Sequence, residues 1–320
     1  MNVVKIATVD YNDFISGDPA KREAFIKKLG DAFAEIGFAI VENHGVSVEL
    51  KDRLYKTVKQ FFDLPLETKL KYENRENAGQ RGFISKGRET AKGHKVPDLK
   101  EFYHIGQNVT DGDPIKDEYP ENIWVDEVSE LKKVGLEVYK TFEKTGRNLL
   151  KAIALYLDLD ENYFDDKIHN GNSILRLLHY YPVEDIDSVP EGAVRAGAHE
   201  DINLITLLMG ASAAGLQALT KDGRWLDVSP KPNQIVINMG DMLQRLTNGR
   251  LRSTTHRVVN LSKEEMLKPR YSTPFFLHPR SDMDLTCLES CVDENHPKKF
   301  DDMTAGEYLD ERIRELGLKS

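Results

Sequence analysis

Seven short runs rich in β-branched and aromatic residues crowd the second half of the chain, at residues 174–181, 203–209, 215–220, 225–228, 234–239, 253–259 and 271–277. Strands this short and this evenly spaced bury their apolar faces only by pairing into a sandwich or barrel. Lys221-Asp222-Gly223-Arg224 reads as a hairpin turn between two of them. A jelly roll is the expected form. No repeat of 20 to 50 residues and no low-complexity segment points elsewhere.

The first half has a different period. Asp18-Pro19 is a helix start, with the aspartate at the cap and the proline at the first helical position. Phe25, Ile26, Leu29, Ala32, Phe33 and Ile36 follow at helical spacing, and Gly37 supplies a stop. Residues 38–41 form a short apolar strand ended by Asn43-His44-Gly45, a tight turn with the glycine at positive φ. A second helix begins at Ser47 and carries Leu50, Leu54, Val58, Phe61 and Phe62 on one face. Val128, Leu131, Val134, Val138 and Phe142 mark a long helix that continues through Leu150 and Ile153. Residues 80–94, with Arg81, Lys86, Arg88 and Lys92, look like a charged lid. The expected fold class is α+β. A mainly helical region (approximately 1–165) packs without a linker on a β core (approximately 166–320), which an amphipathic helix over 303–318 closes.

A net charge of −9 argues against a nucleic-acid binder that relies on a basic face, though not against a local basic pocket for a small anion. Cys287 and Cys291 are too few for a disulfide framework and read as reduced thiols. No signal peptide is evident at the N-terminus, and no run nears the ~20 apolar residues that span a bilayer. These features predict a soluble cytoplasmic protein with a small-molecule partner.

Chemistry concentrates at His199-Glu200-Asp201. On a strand, residues i and i+2 share a face, so His199 and Asp201 can offer an imidazole nitrogen and a carboxylate oxygen to one ion, with Glu200 turned away to a solvated or structural role. His256, on a later predicted strand, can supply a second imidazole. Two histidines and one carboxylate on one face of a metal leave its other positions open, the arrangement of non-haem Fe(II) oxygenases. Arg270-Tyr271-Ser272 opens a further strand, and Arg270 and Ser272 again share a face. A guanidinium beside a hydroxyl suits a buried carboxylate, because arginine forms two parallel charge-assisted hydrogen bonds.

Together these segments make the sequence resemble the isopenicillin N synthase-like family of 2-oxoglutarate/Fe(II) oxygenases, over nearly the whole chain. Ile36-Gly37-Phe38 with Asn43-His44-Gly45, Phe61-Phe62-Asp63-Leu64-Pro65, Asp98-Leu99-Lys100-Glu101-Phe102 and His179-Tyr180-Tyr181-Pro182 look like family blocks. His199-x-Asp201, then His256 after 54 intervening residues, then Arg270-x-Ser272 follow in the family's order. The resemblance implies a double-stranded β-helix with Fe(II) held at its mouth by His199, Asp201 and His256. It implies 2-oxoglutarate chelating the iron, its far carboxylate on Arg270 and Ser272, and Tyr181 as a hydrogen-bonding neighbour of the co-substrate. His179 departs from the asparagine of many plant members. O2 would complete the reaction, with release of succinate and CO2 as a substrate C–H bond is oxidised. Two enzyme alternatives share the triad: an oxidase that uses no 2-oxoglutarate, and a 2-oxoglutarate-consuming, ethylene-forming enzyme. A non-catalytic sensor of iron or 2-oxoglutarate is the rival from another class. His104 and His278 read as structural or pocket-wall residues, and the strand of Arg176 and Leu178 as part of the pocket.

Overall fold

The computed structural model describes residues 5–77, 79–88, 98–109, 111–183, 195–210, 215–259 and 262–315. The described strands, in chain order, are β1 Ala7–Asp10, β2 Phe38–Glu42, β3 Gly82–Ile84, β4 Glu101–Gly106, β5 Ile174–Tyr180, β6 Ala196–His199, β7 Ile205–Gly210, β8 Leu216–Leu219, β9 Trp225–Asp227, β10 Ile235–Met239, β11 His256–Val258 and β12 Arg270–Leu277. They form an eight-stranded sheet in the order β1-β2-β10-β7-β12-β5-β4-β3 and a four-stranded sheet in the order β6-β11-β8-β9. Every pairing among these described strands is antiparallel except β1 with β2.

The expected jelly roll is present, with one addition. The first half contributes β1 and β2 at one edge of the large sheet and β3 and β4 at the other. Of these four, only β2 is plain in the sequence, as a continuous apolar run. β4, Glu101-Phe-Tyr-His-Ile-Gly106, is buried at every position yet carries a glutamate and a histidine, which obscures its apolar pattern. β3 falls within the expected lid. Its three residues pair with β4, and Arg81 beside it is fully buried, donating to Gln80 O at 2.9 Å and Asn172 Oδ1 at 3.4 Å. This part of the segment is therefore sheet edge. Residues 89–94, including Lys92, lie outside the described residues.

Strand alternation gives the large sheet two faces with different tasks. One carries Ala39, Val41, Ile237, Leu207, Phe275, Leu175, Leu177, Tyr103 and Ile105, and packs on the helices in the main core. Helix α1 is Tyr11–Ile15 and α2 is Pro19–Glu35, capped by Asp18, whose side chain accepts from Ala20 N and Lys21 N. Helix α3 spans Val48–Phe62 with Ser47 capping Leu50 N, α4 is Leu66–Leu70, and α5 is the 27-residue Glu130–Tyr156. α5 lies close under the sheet because Gly135 and Gly146 lack side chains: an added Cβ would stand 2.3 Å from Ile105 Cδ1 or Leu277 Cδ1.

The other face looks toward the small sheet. Phe38, Ile40 and Val236 of the large sheet meet Ala196, Leu216, Ala218 and Val258 of the small one in a second apolar cluster. This cluster fills one end of the space between the sheets. Farther along this face lie the polar side chains described next and a small apolar cluster of Ile84, Phe102, Leu178 and Tyr180. The C-terminal helix Ala305–Glu315 is within the expected span, and residues 316–318 lie outside the described residues. No described helix is long and apolar enough to cross a membrane.

Candidate active site

His199 ends β6 and His256 begins β11, and the two stand opposite each other in the strand register, with ring centroids 4.4 Å apart. Asp201 is not on the same strand as His199. It lies in the turn that follows β6, so the sharing of a face by i and i+2 is not what brings them together. The turn is held by Asp241 N donating to Asp201 O at 2.7 Å. Glu200 points away and accepts from Thr255 Oγ1 at 2.8 Å, a structural role.

Each of the three side chains has one end committed to the protein. His199 Nδ1 lies 2.7 Å from Gly197 O, and His256 Nδ1 lies 3.0 Å from Thr254 O. A carbonyl can only accept, so each Nδ1 carries the proton and each Nε2 presents a lone pair. Asp201 Oδ2 accepts from Thr206 Oγ1 at 2.6 Å and from Asn238 Nδ2 at 2.7 Å. Its Oδ1 faces both imidazoles, 3.7 Å from His199 Nε2 and 3.8 Å from His256 Nε2. Three ligand atoms of the right type thus converge on one point, all within 4.8 Å of one another. Outer hydrogen bonds that fix tautomer and ring orientation are characteristic of metal-binding histidines.

The electrostatics agree. The packed surroundings of its ring, and then the neighbouring His256, hold His199 below its ordinary value although its outer edge reaches solvent, so it is neutral and available at neutral pH. Burial alone would raise the Asp201 carboxyl. His256, His199 and the hydrogen bonds from Thr206 and Asn238 outweigh it, and Asp201 is held below its ordinary value. The His199 side chain is 40% exposed whereas Asp201 is 6%, so the cluster opens outward past His199.

Arg270 and Ser272, at the start of β12, are both buried on the face that looks toward the small sheet. The Arg270 guanidinium lies 4.9 Å above the ring of Tyr180, its partner in the register of β5. Parity thus puts Tyr180, rather than Tyr181, on the face of Arg270. Tyr181 follows the end of β5, half-buried, with Lys86 Nζ 3.9 Å from its ring centroid. His179 turns to the helix side, where its Nδ1 meets Glu101 Oε1 at 2.8 Å and its ring stacks on Tyr271.

His278 directly follows β12, its backbone bonded to the Ser173 hydroxyl, and it lies near enough to Asp201 to feel its charge. Burial pushes it down to about 4 while Asp201 opposes the shift. Asp98 ties the approach to β4 to the metal-bearing strand, accepting from Gly197 N at 3.1 Å and pairing with Lys100 at 2.8 Å. Thr206 and Asn238 carry no motif of their own, and nothing in the sequence marks which role Tyr180 and Asp98 play inside their family-like blocks. Asn238 alone left a readable signal, as a single amide inside the apolar run Ile235–Met239.

Known proteins point to one family. Residues 6–127 match the family described as non-haem dioxygenase in morphine synthesis N-terminal, and residues 171–279 match the 2OG-Fe(II) oxygenase superfamily. A 2-oxoglutarate-Fe(II) type oxidoreductase of Aspergillus fumigatus is 32% identical over 314 residues, covering 96% of this chain and 91% of that one. A crystal structure described as a 2OG-Fe(II) oxygenase family protein from Caulobacter crescentus superposes with a TM-score of 0.88 at 40% identity, covering 98% of this chain and 100% of the other. A full-length Neurospora crassa protein crystallised in complex with alpha-KG gives a TM-score of 0.84 at 31% identity, covering 97% and 95%. The same Neurospora protein has also been solved with alpha-KG and thymine. With the His-Asp-His cluster in place and the similarity running the length of the chain, this protein belongs to the 2-oxoglutarate/Fe(II)-dependent oxygenases.

Proposed function

We propose that His199 Nε2, Asp201 Oδ1 and His256 Nε2 hold Fe(II), and that Arg270 and Ser272 hold the far carboxylate of 2-oxoglutarate. The observation that carries the first assignment is the commitment of the opposite atom of each side chain to Gly197, Thr254, Thr206 and Asn238. The second rests on the burial of a guanidinium and a hydroxyl two residues apart on one strand face. Tyr180 supports the Arg270 guanidinium from beneath. Tyr181, just past the end of β5, is retained as a neighbour of the co-substrate on the family resemblance alone. Within the family the chain is assigned to the isopenicillin N synthase-like branch, on the order of its blocks, and to the cytoplasm.

Bound Fe(II) with 2-oxoglutarate and O2 supplies the oxidising power for a substrate C–H bond, with succinate and CO2 as co-products. The chain's own residues do the rest. His199, Asp201 and His256 occupy one face of the ion and leave the other positions to ligands. Arg270 and Ser272 fix the co-substrate's orientation. The apolar cluster behind His256, including Phe38 edge-on to its ring, keeps water from that side.

The substrate is a small molecule, a reading supported by the thymine complex of the Neurospora relative. The test measures succinate formed against substrate oxidised. One succinate per oxidation supports the assignment. Oxidation without succinate points to an oxidase, and ethylene in the headspace points to the ethylene-forming alternative.

A further inference from the structure

Asp201 sits in a stretch of chain with no regular pairing of its own, residues 200–204 between β6 and β7. Carbonyls in such a stretch need donors from elsewhere. The start of a short helix, Asp241–Leu246, supplies them. Gly240 N donates to Leu204 O at 2.9 Å, Asp241 N to Asp201 O at 2.7 Å, and Met242 N to Asn203 O at 3.2 Å and to Ile202 O at 3.3 Å. The first N–H groups of a helix have no partner within it, which leaves them to the metal-bearing turn. The approach is close: a Cβ on Gly240 would stand 2.1 Å from Asn203 O. The first turn of this helix therefore sets where the backbone of Asp201 lies.

That first turn is itself anchored from the far end of the chain. Tyr308, on the C-terminal helix, donates its hydroxyl to Asp241 Oδ2 at 2.9 Å, and both side chains are buried. Arg245, one turn farther along the short helix, lies 4.8 Å from the centroid of the Tyr308 ring. The tyrosine is thus gripped at its hydroxyl and at its ring by residues four apart on one helix. The C-terminal helix is fixed at its own start. Thr304 N donates to Glu307 Oε2 at 2.7 Å and Glu307 N to Thr304 Oγ1 at 3.2 Å, a reciprocal cap. Ala305 N and Gly306 N donate to Met283 O and Ser281 O at 2.8 Å and 2.9 Å, which ties the helix to the chain leaving β12.

We propose that Tyr308 is a positioning residue of the iron centre, and that the C-terminal helix acts through Asp241 on the turn that carries Asp201. This rests on the assignment of Asp201 to Fe(II). Tyr308 acts at a distance: its hydroxyl anchors the Asp241 side chain, and the Asp241 N–H anchors the Asp201 carbonyl. Loss of the hydroxyl leaves a buried carboxyl oxygen short of its donor, a cost that a shift of the helix's first turn relieves. Thr206 and Asn238 still hold Asp201 Oδ2, so the shift alters the aim of Oδ1 without releasing the side chain.

The test is Tyr308→Phe, which keeps the ring for Arg245 and removes only the hydroxyl, beside Asp241→Ala and the double variant. In the metal-free protein, the amides of Gly240, Asp241 and Met242 exchange faster in Tyr308→Phe. Fe(II) affinity, measured anaerobically by competition with a chelator, falls by about threefold to tenfold, at or below the low end for direct outer partners of a ligand. The charge-transfer maximum of the Fe(II) and 2-oxoglutarate complex shifts. The double variant is no worse than Asp241→Ala, because both changes cut one link. Asp18→Ala is the control for general damage: it removes the cap of α2, far from the site, and leaves Fe(II) affinity and spectrum unchanged. The proposal is overturned if Tyr308→Phe matches the unaltered protein in affinity and spectrum, if its three amides exchange at the unaltered rate, if the losses of the single variants add in the double, or if Asp18→Ala loses as much affinity. Failure of the unaltered protein to bind Fe(II) is a separate result, which removes the metal assignment and the proposal with it.

Discussion

Thr206 Oγ1 donates to Asp201 Oδ2 at 2.6 Å, from the strand next to Asn238, which donates to the same oxygen. One carboxylate oxygen is thereby satisfied by the large sheet and the other is turned to the two histidines. Thr206→Val removes a donor at nearly constant shape. Outer partners of metal ligands typically contribute 10- to 100-fold in metal affinity. Fe(II) affinity should fall by about tenfold in Thr206→Val and further when Asn238→Leu is added, measured anaerobically by competition with a chelator. Unchanged affinity in the double variant would remove these residues from the site.

His199→Ala, Asp201→Ala and His256→Ala should each abolish turnover and leave the circular dichroism spectrum intact. His199 opens to the surface, and none of the three side chains belongs to the apolar core clusters. Full turnover in any one of them would strike that residue from the triad.

The helix side of the large sheet holds a buried ion pair. Lys69 Nζ lies 2.9 Å from Glu101 Oε2, with side-chain exposures of 7% and 1%, and His179 shares the carboxylate. Glu101→Gln leaves an ammonium in the interior without its charge partner, a change that typically costs about 3–5 kcal/mol. Urea unfolding at neutral pH checks it. A loss under 1 kcal/mol (roughly the value of an exposed pair) would mean that water reaches Lys69.

Much of this architecture was legible in the sequence, and the reasons for the rest are physical. The helices announced themselves through caps such as Asp18 and Ser47 and through strong periodicity. The second-half strands did so through short β-rich runs. β1, β3 and β4 were hidden because each borrows its stability from neighbours distant in sequence, as β4 does with Glu101 buried against Lys69. The three converging side chains were named from spacing and family order, but the geometric reason given for two of them did not hold. A turn pinned by Asp241, not a strand face, brings Asp201 to His199. Tyr180 and Tyr181 could not be told apart without the register that sets Arg270 opposite Tyr180. Clamps such as Arg176 between Phe102 and Phe276 join three strands, and no local pattern encodes them.

His44 gives the fold a pH dependence of its own. It is buried, and that burial, with Lys51 nearby, pushes it down to about 4 against a hydrogen bond to the backbone of Asn233. The unfolded chain takes up a proton near pH 6.5 that the folded chain refuses until about 4. The unfolded state therefore binds more protons in that window, and stability falls as pH drops through it. The His44 share of the loss is about 3 kcal/mol, complete below pH 4. Denaturant unfolding at pH 7.5 and pH 5 should show a smaller drop for His44→Asn than for the unaltered protein. Equal drops would contradict the assignment.

The most direct measurement of the central claim is a 2-oxoglutarate titration of the anaerobic Fe(II) protein, followed by its metal-to-ligand charge-transfer absorbance. The unaltered protein should develop the band to saturation. Asp201→Ala should not develop it. Arg270→Gln should bind iron normally but need roughly 30-fold more 2-oxoglutarate, the low end of what loss of a buried charge partner costs, with Arg270→Lys between the two. If Arg270→Gln titrates like the unaltered protein, the carboxylate anchor lies elsewhere. If the unaltered protein binds iron and shows no band at saturating 2-oxoglutarate, the account of this site as a 2-oxoglutarate-dependent centre is contradicted.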